Sequence, residues 1–129
     1  MAVVVGYLPS REGRAALAHG VDAAARHGAR LVVVSSKEDT TEAVQQDLEP
    51  YTARLHEHGL AYEVRHLPRS ADPADDLLAV AEEVEATVIV IGLRRRSPVG
   101  KLILGSNAQR ILLDATCPVL AVKGDDVRA

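Results

Sequence analysis

The residues able to do chemistry gather between Thr87 and Lys123. The apolar run Thr87-Val88-Ile89-Val90-Ile91 stops at Gly92, and Leu93 leads into Arg94-Arg95-Arg96 and Lys101 before Gly105-Ser106 opens a helical segment. A glycine closing a buried strand, followed by a loop and a small Gly-Ser pair at a helix start, lets backbone N–H groups point at an anion. The chemistry on offer is therefore anion binding. Arg94-Arg95-Arg96 with Lys101 reads either as an anion clamp, because a guanidinium grips a phosphate bidentately, or as a solvated loop. For Gly105-Ser106 the alternative to a phosphate contact is a plain helix N-cap. For Gly92 it is a turn off the strand.

Elsewhere the reactive side chains assemble into no catalytic set. His56 and His58 lie two apart, which on a helix points them away from each other and argues against a metal pair. Cys117 precedes Pro118 without an identifiable base partner and reads as buried and inert. Asp75-Asp76 and Glu82-Glu83 fall on a helix and read as a solvated face. No acid/base pair, nucleophile with its base, or P-loop is present.

The elements that must position the anion-binding stretch follow from periodicity. Ala2 to Tyr7 is a buried-strand run ended by Leu8-Pro9-Ser10. Leu17, Val21 and Ala24 give a helix from Arg11 to His27, with Ser10 as N-cap and Gly28 as the stop. Leu31 to Val34 is a second buried strand. Thr40 or Thr41 then caps a helix with the stripe Val44, Leu48, Tyr51 and Leu55, in which Pro50 predicts a kink or a break. Alternation from Leu60 to His66 predicts a third strand with one wetter face, more like an edge. Asp72-Pro73 starts a helix with the stripe Leu77, Val80, Ala81 and Val84. The Thr87 strand, a helix from near Gly105 to Asp114 and a Pro118–Lys123 strand complete the pattern. Strand and helix alternate five times, which predicts an α/β class: an open five-stranded parallel sheet with helices on both faces, in one domain over residues 1–129.

Composition limits the partners. With 15 basic and 18 acidic side chains the net charge is −3, so nothing global draws the chain to nucleic acid or to an anionic membrane. The absence of Trp and Phe, with three Tyr, removes the stacking platforms of single-strand binders. No apolar run approaches a membrane span, no signal-peptide pattern is seen, and the single cysteine suits a reducing compartment. These features together predict a cytoplasmic protein.

Gly92, Gly105-Ser106 and the closing Cys117-Pro118-Val119-Leu120-Ala121-Val122-Lys123 resemble the C-terminal half of the universal stress protein family. Its nucleotide-binding members carry Gly, two residues, Gly, nine residues, then Gly and Ser or Thr. The spacing matches here, except that Arg95 occupies the second glycine's place. If that glycine serves a left-handed conformation, a side chain costs ~1–2 kcal/mol; if it serves close approach, the Cβ intrudes on the phosphates.

The resemblance implies a Rossmann-like sheet of order 3-2-1-4-5 and a crevice between the loops after strands one and four. Candidate nucleotide contacts are then Leu8, Pro9 and Ser10 after strand one and Val34 at the end of strand two. Gly92, Arg94, Arg95, Gly105, Ser106 and Asn107 follow strand four. Nucleotide-binding members place an aspartate just after the first strand, in contact with the adenosine moiety, and Leu8 stands where that acid would be. A polar contact left unmade costs ~1–3 kcal/mol, roughly a tenfold to hundredfold loss of affinity.

In function, the resemblance implies a stress-response binding module that holds ATP or another adenine nucleotide, with Mg as an accompanying ion, and acts by association rather than catalysis. If the last strand is an edge, Val119-Leu120-Ala121-Val122 is a template for a homodimer. The departures at Leu8 and Arg95 leave a second reading open, a member that has lost the nucleotide and works through protein partners. A third reading is a weak nucleotide hydrolase or an adenylylating enzyme. The Ser-Gly-Gly-rich pyrophosphate loop of adenylylating enzymes is missing.

Overall fold

The computed structural model describes residues 1–36, 41–67, 72–93 and 105–124. Five parallel strands, β1 (Ala2–Gly6), β2 (Arg30–Ser36), β3 (Tyr62–Leu67), β4 (Ala86–Leu93) and β5 (Val119–Lys123), form one sheet in the order β3-β2-β1-β4-β5. Four helices connect them: α1 (Arg11–His27), α2 (Thr41–Glu57), α3 (Pro73–Glu83) and α4 (Ser106–Asp114). The predicted sheet class and strand order are both present.

The unbroken apolar runs exist because both faces of the sheet are covered. Side chains alternate across a strand, so Val3, Val5, Leu31, Val33, Val90 and Val122 pack with α1 and α2. Ala2, Val4, Val32, Val34, Ile89 and Ile91 pack with α3 and α4. The first layer contains fully buried Leu17, Leu31, Leu48 and Leu55, each contributing roughly 1.5–3 kcal/mol. The predicted α3 stripe of Leu77, Val80, Ala81 and Val84 is buried in the second.

Helix ends follow the sequence closely. The Ser10 hydroxyl accepts from the Gly13 N–H at 3.1 Å, and Gly28, at φ 62, ends α1. Asp72 caps α3 by accepting from the Asp75 N–H at 3.2 Å, with Pro73 in the first turn. Thr41 is the first residue of α2, and Thr40 lies outside the described residues.

Two expectations need correction. Pro50 does not break α2, which runs continuously from Thr41 to Glu57. Pro50 and Gln46, whose carbonyl loses its helical partner, are both exposed, so the missing bond lies on the wet side of the helix. Nor does the fourth strand stop at Gly92; β4 continues to Leu93, with Gly92 aligned to Val122 and Leu93 to Lys123 of β5.

At the β3 edge, Arg30 donates to Glu63 at 2.8 Å, and Arg65 reaches Glu63 at 3.4 Å and Glu83 of α3 at 2.6 Å. The hydrogen bond from Arg65 is the main influence holding the Glu63 carboxyl below its ordinary value. β3 is an edge of the sheet, as expected, but its exposure does not alternate: Tyr62 is exposed and Glu63 to Leu67 are all half-buried, so the expected single wetter face is not seen.

Candidate functional site

The strand order reverses direction at β1, whose two neighbours, β2 and β4, lead to opposite halves of the sheet. Their C-terminal ends diverge there, the place where open α/β sheets form ligand crevices. A cleft of about 580 Å³ opens at this point, within the ordinary range for a small-molecule site of roughly 300–1,000 Å³. Its floor is apolar, made by Val34 of β2, Leu67 of β3, Ile91 of β4, Ala74 and Leu77 of α3, and Ile111 of α4.

Close backbone packing shapes the rim. The Tyr7 N–H donates to the Val34 carbonyl at 2.9 Å, extending the β1–β2 ladder one residue past β1. The chain then turns, with the Ser10 N–H donating to the Leu8 carbonyl at 2.8 Å. A Cβ on Gly13 would lie 1.7 Å from the Leu8 oxygen, and one on Gly92 would lie 2.3 Å from the Glu12 oxygen. Both glycines therefore let the first turn of α1 sit directly on the loop after β1 and on the end of β4. Gly92 has a structural reason to be glycine, independent of any ligand.

Leu8, Val34, Gly92 and Asn107 line the cleft, so four of the candidates from three separate stretches come together. Leu8 is 54 % exposed at the mouth. Pro9, Ser10, Gly105 and Ser106 are not among the lining residues, and the Ser10 hydroxyl is engaged as the α1 cap. Arg94 and Arg95, with Arg96 and Lys101, lie outside the described residues. The Tyr7 ring passes into the α1/α2 layer, where its hydroxyl donates to Asp47 of α2 at 2.5 Å.

Two helix N-termini face the cleft. The α4 turn presents Asn107 and Ala108 to it. Gly105 precedes that turn as N-cap and supplies no side-chain cap. First-turn N–H groups have no partner within their own helix and carry the positive end of its dipole, so they favour an anion. The α3 turn presents Pro73, Ala74, Asp76 and Leu77. Arg110 of α4 ties the two turns together by pairing with Asp72, with Asp75 at 2.6 Å and with Asp114 at 3.5 Å. The Asp75 N–H is the main influence holding the Asp72 carboxyl below its ordinary value, whereas desolvation pushes the Asp75 carboxyl up.

Sequence reasoning missed Glu12 and Asp76, the two carboxylates among the described residues of the lining. Asp76 was expected on a solvated face, yet it is half-buried at the cleft wall. Its position in the first turn of a helix that starts at the C-terminal edge of the sheet was the available signal. Ser35 and Ser36 also line the cleft from the end of β2. Cys117 is half-buried rather than fully buried as expected, and that burial pushes its thiol up, in keeping with an inert side chain. Among the described residues no group of three or more His, Cys, Asp or Glu side chains could hold a metal ion, and no helix is long and apolar enough to cross a membrane.

Comparison with known proteins places this geometry. Residues 1–123 match the model of the universal stress protein family. A universal stress protein of Mycolicibacterium smegmatis is 40 % identical over 126 residues, covering 94 % of this chain and 96 % of its own. Among solved structures, a universal stress protein from Archaeoglobus fulgidus is 32 % identical with a TM-score of 0.69, covering 95 % of this chain and 97 % of its own. Another from that organism, solved in complex with dAMP, is 26 % identical with a TM-score of 0.65, covering 95 % of this chain and 96 % of its own. A universal stress protein in complex with cAMP is 25 % identical with a TM-score of 0.70, covering 96 % of this chain and 97 % of its own. The chain belongs to the universal stress protein family.

Proposed function

We propose that the protein is a binding module that takes an adenine nucleotide in the cleft between the loops after β1 and β4 and acts by association rather than by catalysis. The observation that carries this reading is the cleft itself: an apolar floor wide enough for a base, beside an α4 first turn whose N–H groups favour a phosphate. The dAMP and cAMP complexes of family members support adenine as the base. Arg94, Arg95, Arg96 and Lys101 would add cationic grip at the phosphate end, and Mg would accompany a polyphosphate such as ATP. The site of action is the cytoplasm.

The purified protein provides the test. Denaturing it and identifying released compounds by ion-exchange chromatography and mass should yield an adenine nucleotide, and titration with AMP or Mg-ATP should raise the melting temperature of ligand-free protein. No released nucleotide and no response to either titrant would overturn the reading.

Leu8 favours a second reading, in which the nucleotide has been lost and the cleft face serves protein partners. An exposed leucine at the mouth gives a base an apolar surface but no acceptor. In that case the parent binds no nucleotide, and Leu8→Asp with Arg95→Gly creates affinity for ATP. We also propose a homodimer through β5, an edge strand hydrogen-bonded to β4 on its inner side, with Val119, Leu120 and Ala121 half-buried. A monomer by light scattering at micromolar concentration would refute it.

A further inference from the structure

The segment Asp72-Pro73-Ala74-Asp75-Asp76 puts three carboxylates into the start of α3, and the fold uses two of them. Asp72 caps the helix and pairs with Arg110, and Asp75 also pairs with Arg110. Asp76 makes no side-chain hydrogen bond or ion pair among the described residues. It is half-buried, lines the cleft, and stands between Ala74 and Leu77, both buried. Leu77 fixes this turn against the sheet, since its Cδ2 lies 3.3 Å from where a Cβ on Gly6 would be. No Lys, Arg or His is among the described residues of the lining.

A carboxylate at an apolar cleft wall, with its oxygens unused by the fold, is an acceptor that a donor on a ligand can fill. Phosphate oxygens are themselves acceptors and carry negative charge, so they are kept away from it. They are drawn instead to the α4 turn. Resting on the nucleotide reading above, we propose that Asp76 is a specificity-determining residue of the cleft, accepting a hydrogen bond from a neutral N–H or O–H donor on the nucleoside part of the ligand. A nucleotide then lies with its base and ribose toward α3 and its phosphate toward α4. The donor is either the exocyclic amine of adenine or a ribose hydroxyl.

The test compares dissociation constants for AMP, purine riboside monophosphate, which lacks the amine, and the 2′- and 3′-deoxy forms of AMP. Each is titrated into the parent, Asp76→Ala and Asp76→Asn by calorimetry. The parent should bind one analogue about tenfold or more weakly than AMP, which identifies the donor. That gap should close in Asp76→Ala, while AMP itself loses a similar factor. Asp76→Asn keeps shape and one acceptor oxygen and should fall between, which secures the comparison if the alanine variant folds poorly. Equal affinities and ranking in parent and variants would overturn the role of Asp76 and leave the nucleotide reading standing. A uniform loss for all four ligands, with their ranking kept, would overturn it in favour of a purely structural residue. A parent that binds none of them would refute the nucleotide reading and this assignment with it.

Discussion

Gly92→Ala separates two reasons for a glycine at the cleft, close packing and close approach of a ligand. The new Cβ would lie 2.3 and 2.6 Å from the Glu12 carbonyl oxygen and carbon and 2.8 Å from the Glu12 Cβ. Two of these three atoms are backbone in the first turn of α1, which the Ser10 cap holds in place, so relief requires moving a helix end. Overpacking of this kind costs about 1–3 kcal/mol. Because the nearest atoms are backbone and cannot turn aside, the cost lies in the upper half of that range, about 2–3 kcal/mol. Against it stands the gain of about 0.5–1 kcal/mol from replacing a strand glycine by alanine. The balance is a destabilisation of about 1–2.5 kcal/mol. An unfolding entropy of about 2.1 cal/mol/K per residue, applied to 129 residues, makes each kcal/mol worth about 4 °C. The melting temperature of ligand-free Gly92→Ala should therefore fall by about 4–9 °C, with a lower urea midpoint at unchanged slope. A variant as stable as the parent but weakened in nucleotide binding would refute this reasoning and assign the glycine to the ligand.

Three further substitutions probe other links. Tyr7→Phe removes a hydroxyl that donates to the Asp47 carboxylate from a nearly fully buried ring; it should cost about 1–3 kcal/mol in urea unfolding, and an unchanged midpoint would contradict the bond's importance. Pro50→Ala restores a donor to the exposed Gln46 carbonyl inside α2 and should stabilise by about 1–3 kcal/mol; a loss of stability would show that the helix depends on its proline. Glu63 has a folded pKa below its ordinary value of 4.5, chiefly through the hydrogen bond from Arg65. Its contribution is therefore present above that value and lost as pH falls through the depressed one. Glu63→Gln should flatten the decline of melting temperature on the acid side, and an identical acid limb in parent and variant would rule this out.

Much of the architecture was legible because local signals and tertiary packing agree. Ser10, Gly28 and Asp72-Pro73 mark helix ends where caps form, and the non-alternating valine runs mark strands covered on both faces. Strand order came only through the family resemblance, since periodicity carries no information about which strands pair. The cleft was half legible. Leu8, Val34, Gly92 and Asn107 meet there. Glu12, Ser36 and Asp76 did not announce themselves, because their membership depends on how α1, β2 and α3 begin or end at the same edge of the sheet. Pro50 misled because a proline on the wet side of a helix leaves its orphaned carbonyl outside the core, where the cost does not break the helix.

The central claim is that an adenine nucleotide occupies the cleft at the ends of β1 and β4. Titration of AMP into isotopically labelled protein, read by amide chemical shifts, tests it most directly. The account predicts saturable shifts concentrated at Gly6, Leu8, Ser36, Asp76, Gly92 and Asn107. Shifts that cluster elsewhere, or none at saturating nucleotide, would contradict it.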